Sequence, residues 1–229
     1  MAHLRKQVLG QIQGGIADIK IKYRNGKPYV ASKPGKFNTG KDPVTLFKKN
    51  QGKFIGKLSS VIYKIEILKK IWSLAEGPKG YTYQQIWARN YRSIKNNDLS
   101  GIVTLIPSSG FKTINQTIEL GENEKGILTA SPLGDKIGIN LSIEKKMIAT
   151  GVVILKNNMY GSETDFGFLA ISSKPVDFNL TDSININFDT LPVTPSVISY
   201  FSIRKSYITL ITLDESGSPI HYSEVITGG

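Results

Sequence analysis

The sequence predicts an α+β protein in which an N-terminal β-hairpin and a helical module precede an antiparallel Ig-like β-sandwich. Apolar and basic residues alternate on the N-terminal side of an Asn-Gly pair at residues 25 and 26. Apolar residues then recur at steps of three and four, and beyond Gly101 the period becomes two. We therefore divide the chain into a glycine-containing basic hairpin arm at 1–41, a helical module at 42–98 and a β-sandwich domain at 99–229.

The hairpin is predicted from the run before and after Asn25-Gly26. This pair favours a two-residue type I′ turn, which needs positive φ at both positions. One face of the first strand is apolar and the other is basic: Ile19, Ile21 and Tyr23 alternate with Lys20, Lys22 and Arg24. The glycine-dense residues 10–15 neither follow a strand nor open a helix, so we interpret them as flexible backbone rather than a phosphate loop.

The helical module begins at Asp42-Pro43, where an aspartate cap precedes a proline suited to the first helical position. Its outer side is basic, and the lysines concerned are Lys48, Lys49, Lys53 and Lys57. A further helix is predicted from Thr82. Five aromatic residues could stack on bases, although their helical spacing favours a core position: Trp72, Tyr81, Tyr83, Trp87 and Tyr91.

Short β-rich runs separated by Gly, Pro, Asn and Asp predict the sandwich. The runs cover 102–106, 117–120, 127–130, 137–143, 148–155, 166–171, 184–188, 197–203, 207–213 and 222–226. The Ig-like arrangement is our first choice, although the chain contains no cysteine for the disulfide typical of antibody domains.

Composition excludes several kinds of chemistry. Without cysteine the chain has no disulfide, no thiolate nucleophile and no cysteine-ligated metal. Only His3 and His221 offer imidazole, and His221 has no evident partner in the sequence, so we interpret it as structural or exposed. Two carboxylate pairs lie in predicted turns, at 163/165 and 214/215, where solvated carboxylates are ordinary. We therefore expect no enzymatic activity, no metal and no cofactor.

Charge is distributed unevenly along the chain. Residues 1–100 contain 20 Lys and Arg against 5 Asp and Glu, a net charge of +15, whereas residues 101–229 contain 9 against 13, a net charge of −4. This asymmetry indicates two modules, of which the basic one contacts an anionic partner. No window predicts a membrane span or a signal peptide, so we expect a location in the cytoplasm or in a particle assembled there.

Several short motifs at both ends of the chain resemble an uncharacterised bacterial domain-of-unknown-function family, found in genomes and in prophage-like contexts. The matching residues are Gly14-Gly15, the turn at 23–27, Ser32-Lys33-Pro34, Asp42-Pro43, Lys53-Phe54, and the closing 213–217 followed by Tyr222-Ser223. The resemblance implies an N-terminal basic hairpin, a Pro-started helix and a C-terminal sandwich. It supplies no activity or catalytic residue.

We expect self-assembly as the first choice of function and nucleic-acid binding as the alternative, with a third function by fold analogy alone. The first is a non-enzymatic, self-assembling structural protein, a subunit of a phage-derived particle, filament or array, joined through its hairpin arm into a homo-oligomer. The second is weakly sequence-specific nucleic-acid binding, or binding of another polyanion, by the basic half. The third is a carbohydrate- or ligand-binding sandwich. The candidate assembly or anion-contact residues are Lys20, Lys22, Arg24, Asn25, Gly26, Lys27, Lys33, Lys48, Lys49, Lys53 and Lys57.

Overall fold

The coarse α+β prediction is confirmed by a computed structural model, whose described residues form three helices and mostly antiparallel sheets. The structure describes residues 14–16, 19–24, 26–32, 42–76, 82–94, 103–120, 126–131, 138–157, 165–180, 184–188, 201 and 203–228. The chain divides into two compact units, Met1–Leu46 and Phe47–Gly229.

The N-terminal unit contains a three-stranded antiparallel sheet in the order β1-β2-β3. Its strands are β1 (Gly14–Ile16), β2 (Ile19–Arg24) and β3 (Lys27–Ser32). Arg24 lies opposite Lys27, and Gly26 in the turn between them has φ of 74°, a conformation that favours glycine. The interpretation of 10–15 as flexible backbone is wrong for Gly14 and Gly15. Their backbone groups extend the ladder beside β2, which requires no side chain.

The helices are α1 (Pro43–Lys64), α2 (Glu66–Glu76) and α3 (Thr82–Ser93). The predicted start of α1 is confirmed, because the backbone N–H of Thr45 donates to Asp42 Oδ1 at 2.9 Å. Two buried side chains of the helices donate hydrogen bonds to backbone carbonyls outside their own helix. Gln51 Nε2 donates to the carbonyl of Ile94 at 2.7 Å, and Trp72 Nε1 donates to the carbonyl of Leu105 at 2.8 Å.

Among the described residues, nine strands form two further sheets. They are β4 (Ile114–Leu120), β5 (Gly126–Ser131), β6 (Lys146–Asn157), β7 (Asp165–Ser172), β8 (Val176–Asp177), β9 (Ile184–Phe188), β10 (Ile203–Leu213), β11 (Pro219–Tyr222) and β12 (Ile226–Gly228). The larger sheet has the order β11-β10-β6-β7, with β12 also paired to β10 and β8 to β6. The smaller sheet has the order β4-β5-β9.

Because successive side chains of a strand point to opposite faces, the larger sheet contributes residues to two hydrophobic clusters, one on each face. Val152, Ile154, Tyr207 and Ile211 join the cluster that contains the buried residues of the helices. The other cluster contains Ala149, Val153, Ile208 and Leu210 together with Leu128, Ile186 and Phe188 of the smaller sheet. The larger sheet thus lies between a helical layer and a second sheet. We predicted a boundary at residue 98, but the helices and the larger sheet share one core.

Gly151 provides a test of the central pairing. It lies opposite Ile208 in the β6–β10 ladder, and a Cβ at this position would clash with the carbonyl oxygen of Tyr207. We expect Gly151→Ala to lower the free energy of unfolding by about 3 kcal/mol, because the overpacked atom meets backbone. Urea unfolding followed by circular dichroism measures the loss.

Gly52→Ala is the matched control. Gly52 lies within α1, and a Cβ there would have no atom within 4 Å. Alanine should therefore leave stability unchanged or raise it by up to about 1 kcal/mol through its helix propensity. Equal stability of Gly151→Ala and wild type would contradict the close approach of β6 and β10.

Candidate functional site

The α1 lysine face, which we define as Lys49, Lys53, Lys57 and Lys64, is an exposed line of positive charge along one helix. At 3.6 residues per turn these four positions fall within an arc of roughly 80°. The buried side chains of α1 point to the other side, among them Phe54, Leu58 and Ile62. Packing of the apolar stripe therefore orients the lysines away from the core. Lys48 is also exposed but lies outside the arc, and Lys64 was not among the predicted contact residues.

No acidic residue balances this face within α1, because Pro43–Lys64 contains neither aspartate nor glutamate. Across the part of the chain that the structure describes, none of the four lysines forms an ion pair. The ion pair recorded among the helices joins Lys69 to Glu66 at 3.7 Å. Lysines four residues apart repel each other, at a cost of roughly 0.2–0.5 kcal/mol per pair. An anionic partner would remove this repulsion.

The remaining predicted contact residues belong to the N-terminal unit. Lys22 on β2 and Lys27 on β3 are exposed, and Gly26 occupies the turn. Lys20 and Arg24 are also residues of β2, at alternate positions with Lys22. Asn25 and Lys33 lie outside the described residues. These residues and the α1 lysine face belong to different compact units, so each set is a candidate by itself.

The aromatic residues of the helices are largely engaged within the protein. Trp72 is fully buried, and Trp87 stacks on Tyr91 with ring centroids 4.8 Å apart. The hydroxyl of Tyr83 donates to the carbonyl of Gly56 at 3.2 Å, and its ring meets Tyr63 edge-on. The expected core position is confirmed for Trp72, and Trp87 and Tyr91 pack partly buried against the same core. It is wrong for Tyr83, whose ring lies at the surface of the helical layer and is 37% exposed, whereas Tyr81 lies outside the described residues.

A buried carboxylate that the sequence did not reveal binds His221. The side chain of Glu144 is 2% exposed, and its Oε2 lies 3.0 Å from His221 Nδ1. Thr212 donates its hydroxyl to the same oxygen, and the backbone N–H of Asn140 donates to Oε1 at 2.8 Å. Glu144 and His221 are 77 residues apart in the chain, so no local signal could have paired them.

This carboxylate–imidazole pair is a structural connection between the turn at 140–144 and the β10–β11 hairpin. No nucleophilic side chain contacts the imidazole among the described residues. In the same described ranges, no three His, Cys, Asp or Glu side chains are grouped to hold a metal.

The predicted pair at 214/215 has ordinary turn contacts, since Ser216 and the backbone N–H of Ser218 donate to Asp214, and Lys145 pairs with Glu215. In the other predicted pair, Asp165 is the first residue of β7, and Glu163 lies outside the described residues. His3 also lies outside them.

A shallow pocket of about 240 Å³ lies beside α3, lined in part by Arg89, Pro107, Ser108 and Glu224. Ligand sites for drug-sized molecules usually enclose about 300–1,000 Å³. Two of its polar side chains are already hydrogen-bonded: Arg89 donates to the carbonyl of Pro107, and Ser108 Oγ lies 2.5 Å from the Tyr222 hydroxyl. The α1 lysine face is therefore the strongest candidate functional site.

The Glu144 network predicts a pH dependence of stability. Burial raises the pKa of Glu144, but the hydrogen bonds from Thr212, His221 and Asn140 outweigh it and leave the pKa below its ordinary value of 4.5. A depressed folded pKa gives stability that is fully present above the unfolded pKa and lost as the pH falls through the folded one. We expect Glu144→Gln to remove this part of the acid sensitivity.

The measurement is the free energy of unfolding of wild type and Glu144→Gln between pH 7 and pH 3. The variant should be less stable at pH 7, and the gap should narrow below about pH 4.5 as the wild-type carboxylate gains a proton. Glu119→Gln is the control, because it makes the same chemical change at an exposed glutamate on β4 and leaves the buried network intact. A gap between wild type and Glu144→Gln that stays constant over this range would contradict the role of the ionised carboxylate.

No helix among the described residues is long and apolar enough to span a membrane. Neither a protein-family model nor a curated protein matches the chain. The resemblance to a domain-of-unknown-function family therefore stays a prediction, and the function has to be argued from the α1 lysine face and the N-terminal sheet.

Proposed function

We propose that the protein acts by binding rather than by catalysis, and that its α1 lysine face contacts nucleic acid or another polyanion. One observation carries the proposal: four exposed lysines line a helix that contains no acidic residue and form no ion pair with the described carboxylates. Lysine is a flexible point charge that binds phosphate without reading a base, so the expected binding has little sequence specificity.

The surrounding fold supports this proposal. The core side of α1 is buried against the larger sheet, so the helix is held as part of a packed layer. We also propose that the two sheets form an Ig-like sandwich. Within the smaller sheet, the order β4-β5-β9 corresponds to strands A, B and E of that fold. Within the larger sheet, the order β11-β10-β6-β7 corresponds to strands G, F, C and C′. A nucleic-acid partner accords with the expected location in the cytoplasm or in a particle assembled there.

Replacement of two central lysines tests the proposal. We expect Lys53→Gln combined with Lys57→Gln to weaken binding to mixed-sequence DNA in 50 mM salt. Each lost phosphate contact reduces the slope of log affinity against log salt by about one, so the double variant should lose about two. Fluorescence anisotropy at several salt concentrations measures both quantities.

A control variant with the same charge change distinguishes loss of the α1 lysines from loss of overall positive charge. Lys112→Gln combined with Lys146→Gln removes two exposed lysines from the sandwich segment. It should retain nearly wild-type affinity and salt slope. Equal weakening by both double variants would assign the attraction to overall charge, and absence of binding by the wild type would end the proposal.

A second candidate function is self-assembly through the N-terminal unit as a structural subunit. Its support is that β1, β2 and β3 belong to a compact unit of their own. By sequence pattern Ile19, Ile21 and Tyr23 share one face of β2, and a small isolated sheet is marginally stable in water. A second copy that covers this face would supply the missing burial.

Light scattering after size exclusion tests assembly. The wild type should have a molar mass that exceeds the 25.2 kDa of one chain and rises with concentration. Gly26→Val should reduce it, because a β-branched residue is strained at φ of 74°. Gly52→Ala should leave the molar mass unchanged. A wild-type protein that is monomeric at every concentration and salt would exclude this function.

A further inference from the structure

We infer that the partner of the α1 lysine face is duplex nucleic acid, bound along its phosphate backbone. This inference rests on the proposed polyanion binding and adds the class of partner. It depends on two independent features: the regular spacing of the lysines along α1, and the lack of an aromatic residue within their arc.

The lysines form a straight line of fixed direction. With a rise of 1.5 Å per residue, successive positions from Lys49 to Lys53 and Lys57 are about 6 Å apart along the axis, and the line to Lys64 extends about 22 Å. A duplex is straight over this length, since its persistence length is about 50 nm. With both strands counted, it also carries a charge for roughly every 1.7 Å of axis, so it presents dense negative charge along the whole line of lysines.

A single strand would have to be ordered along the same line, which costs conformational entropy. Proteins that bind single strands repay this cost by stacking bases on aromatic rings, at about 1–3 kcal/mol per base. From Lys49 to Lys64 no aromatic residue lies within the arc of the four lysines. Most of the described rings elsewhere in the helices are engaged in the protein, although Phe47, outside the arc, is 38% exposed and Tyr83 is 37% exposed. Trp72 is buried, Trp87 stacks on Tyr91, and Tyr83 is held by Gly56 and Tyr63. The α1 lysine face therefore offers charge without a stacking surface.

The chemistry of the face also favours backbone contact over base readout. Specific contacts to base edges come mainly from arginine, asparagine and glutamine in bidentate geometry. Between Lys49 and Lys64, the residue that shares the arc of the lysines is Ser60, whose side chain is short. Duplexes of unrelated sequence should consequently bind with similar affinity.

The experiment uses the full chain with a 24-base-pair mixed-sequence duplex, a second duplex of unrelated sequence, a 24-nucleotide single strand, heparin and polyglutamate. We expect the duplexes to bind within about threefold of each other and more tightly than the single strand. With four contacts the expected salt slope is about −3.6, so affinity should fall roughly 100-fold between 50 and 200 mM salt. The Lys53→Gln/Lys57→Gln variant should have a slope of about −1.8, and Lys112→Gln/Lys146→Gln should match the wild type.

The outcomes separate this inference from the proposed function. Single-strand affinity equal to or above duplex affinity, or more than 100-fold discrimination between the duplexes, would overturn the duplex assignment while polyanion binding stands. Heparin or polyglutamate binding without duplex binding would overturn it as well. Absence of binding to all five probes in 50 mM salt would overturn both proposals. Circular dichroism of each variant checks that the fold is retained.

Discussion

The antiparallel pairing of β10 with β6 is the interaction on which the rest of the structure depends. The two strands stay in register from Ile203 opposite Lys156 to Leu213 opposite Lys146. Both faces of this ladder are covered, by the helices on one side and by the smaller sheet on the other. A slip of one residue would exchange the two faces and present each cluster with the wrong side chains. The register is therefore specified from both sides at once.

Buried hydroxyl groups complete the backbone pairing where neighbouring strands are interrupted. β11 and β12 both pair with β10, and Ser223 lies in the break between them. Its hydroxyl accepts a hydrogen bond from the backbone N–H of Leu210 at 2.9 Å, while Thr209 Oγ1 donates to the carbonyl of Ser223 at 2.8 Å. Because an unpaired polar group is costly in a core, these hydroxyls allow the interruption to be buried.

The same core determines where the candidate functional charges lie. The apolar stripe of α1 packs in the cluster shared with β6 and β10, and the lysines follow the opposite side of the helix. The side chain of Asn90 on α3 binds the backbone of Thr104 in the segment after the helix. The backbone N–H of Thr104 donates to Asn90 Oδ1 at 2.9 Å, and Asn90 Nδ2 donates to the carbonyl of Thr104 at 3.0 Å. The α1 lysine face is thus part of a packed layer, whereas the N-terminal basic residues belong to a separate compact unit. This difference favours the helix as the place where a rigid polyanion binds.

Local patterns determined the features that depend on neighbouring residues. The cap at Asp42, the positive φ at Gly26 and the exposure of Lys53 all follow from sequence separations of a few residues. Tertiary structure alone decided the features that join distant residues: the ladder between β6 and β10, the helical layer on the larger sheet, and the Glu144–His221 contact. The physical reason is that local propensity determines which side of an element is apolar or charged, whereas its partner is selected by burial and hydrogen bonding across the whole chain.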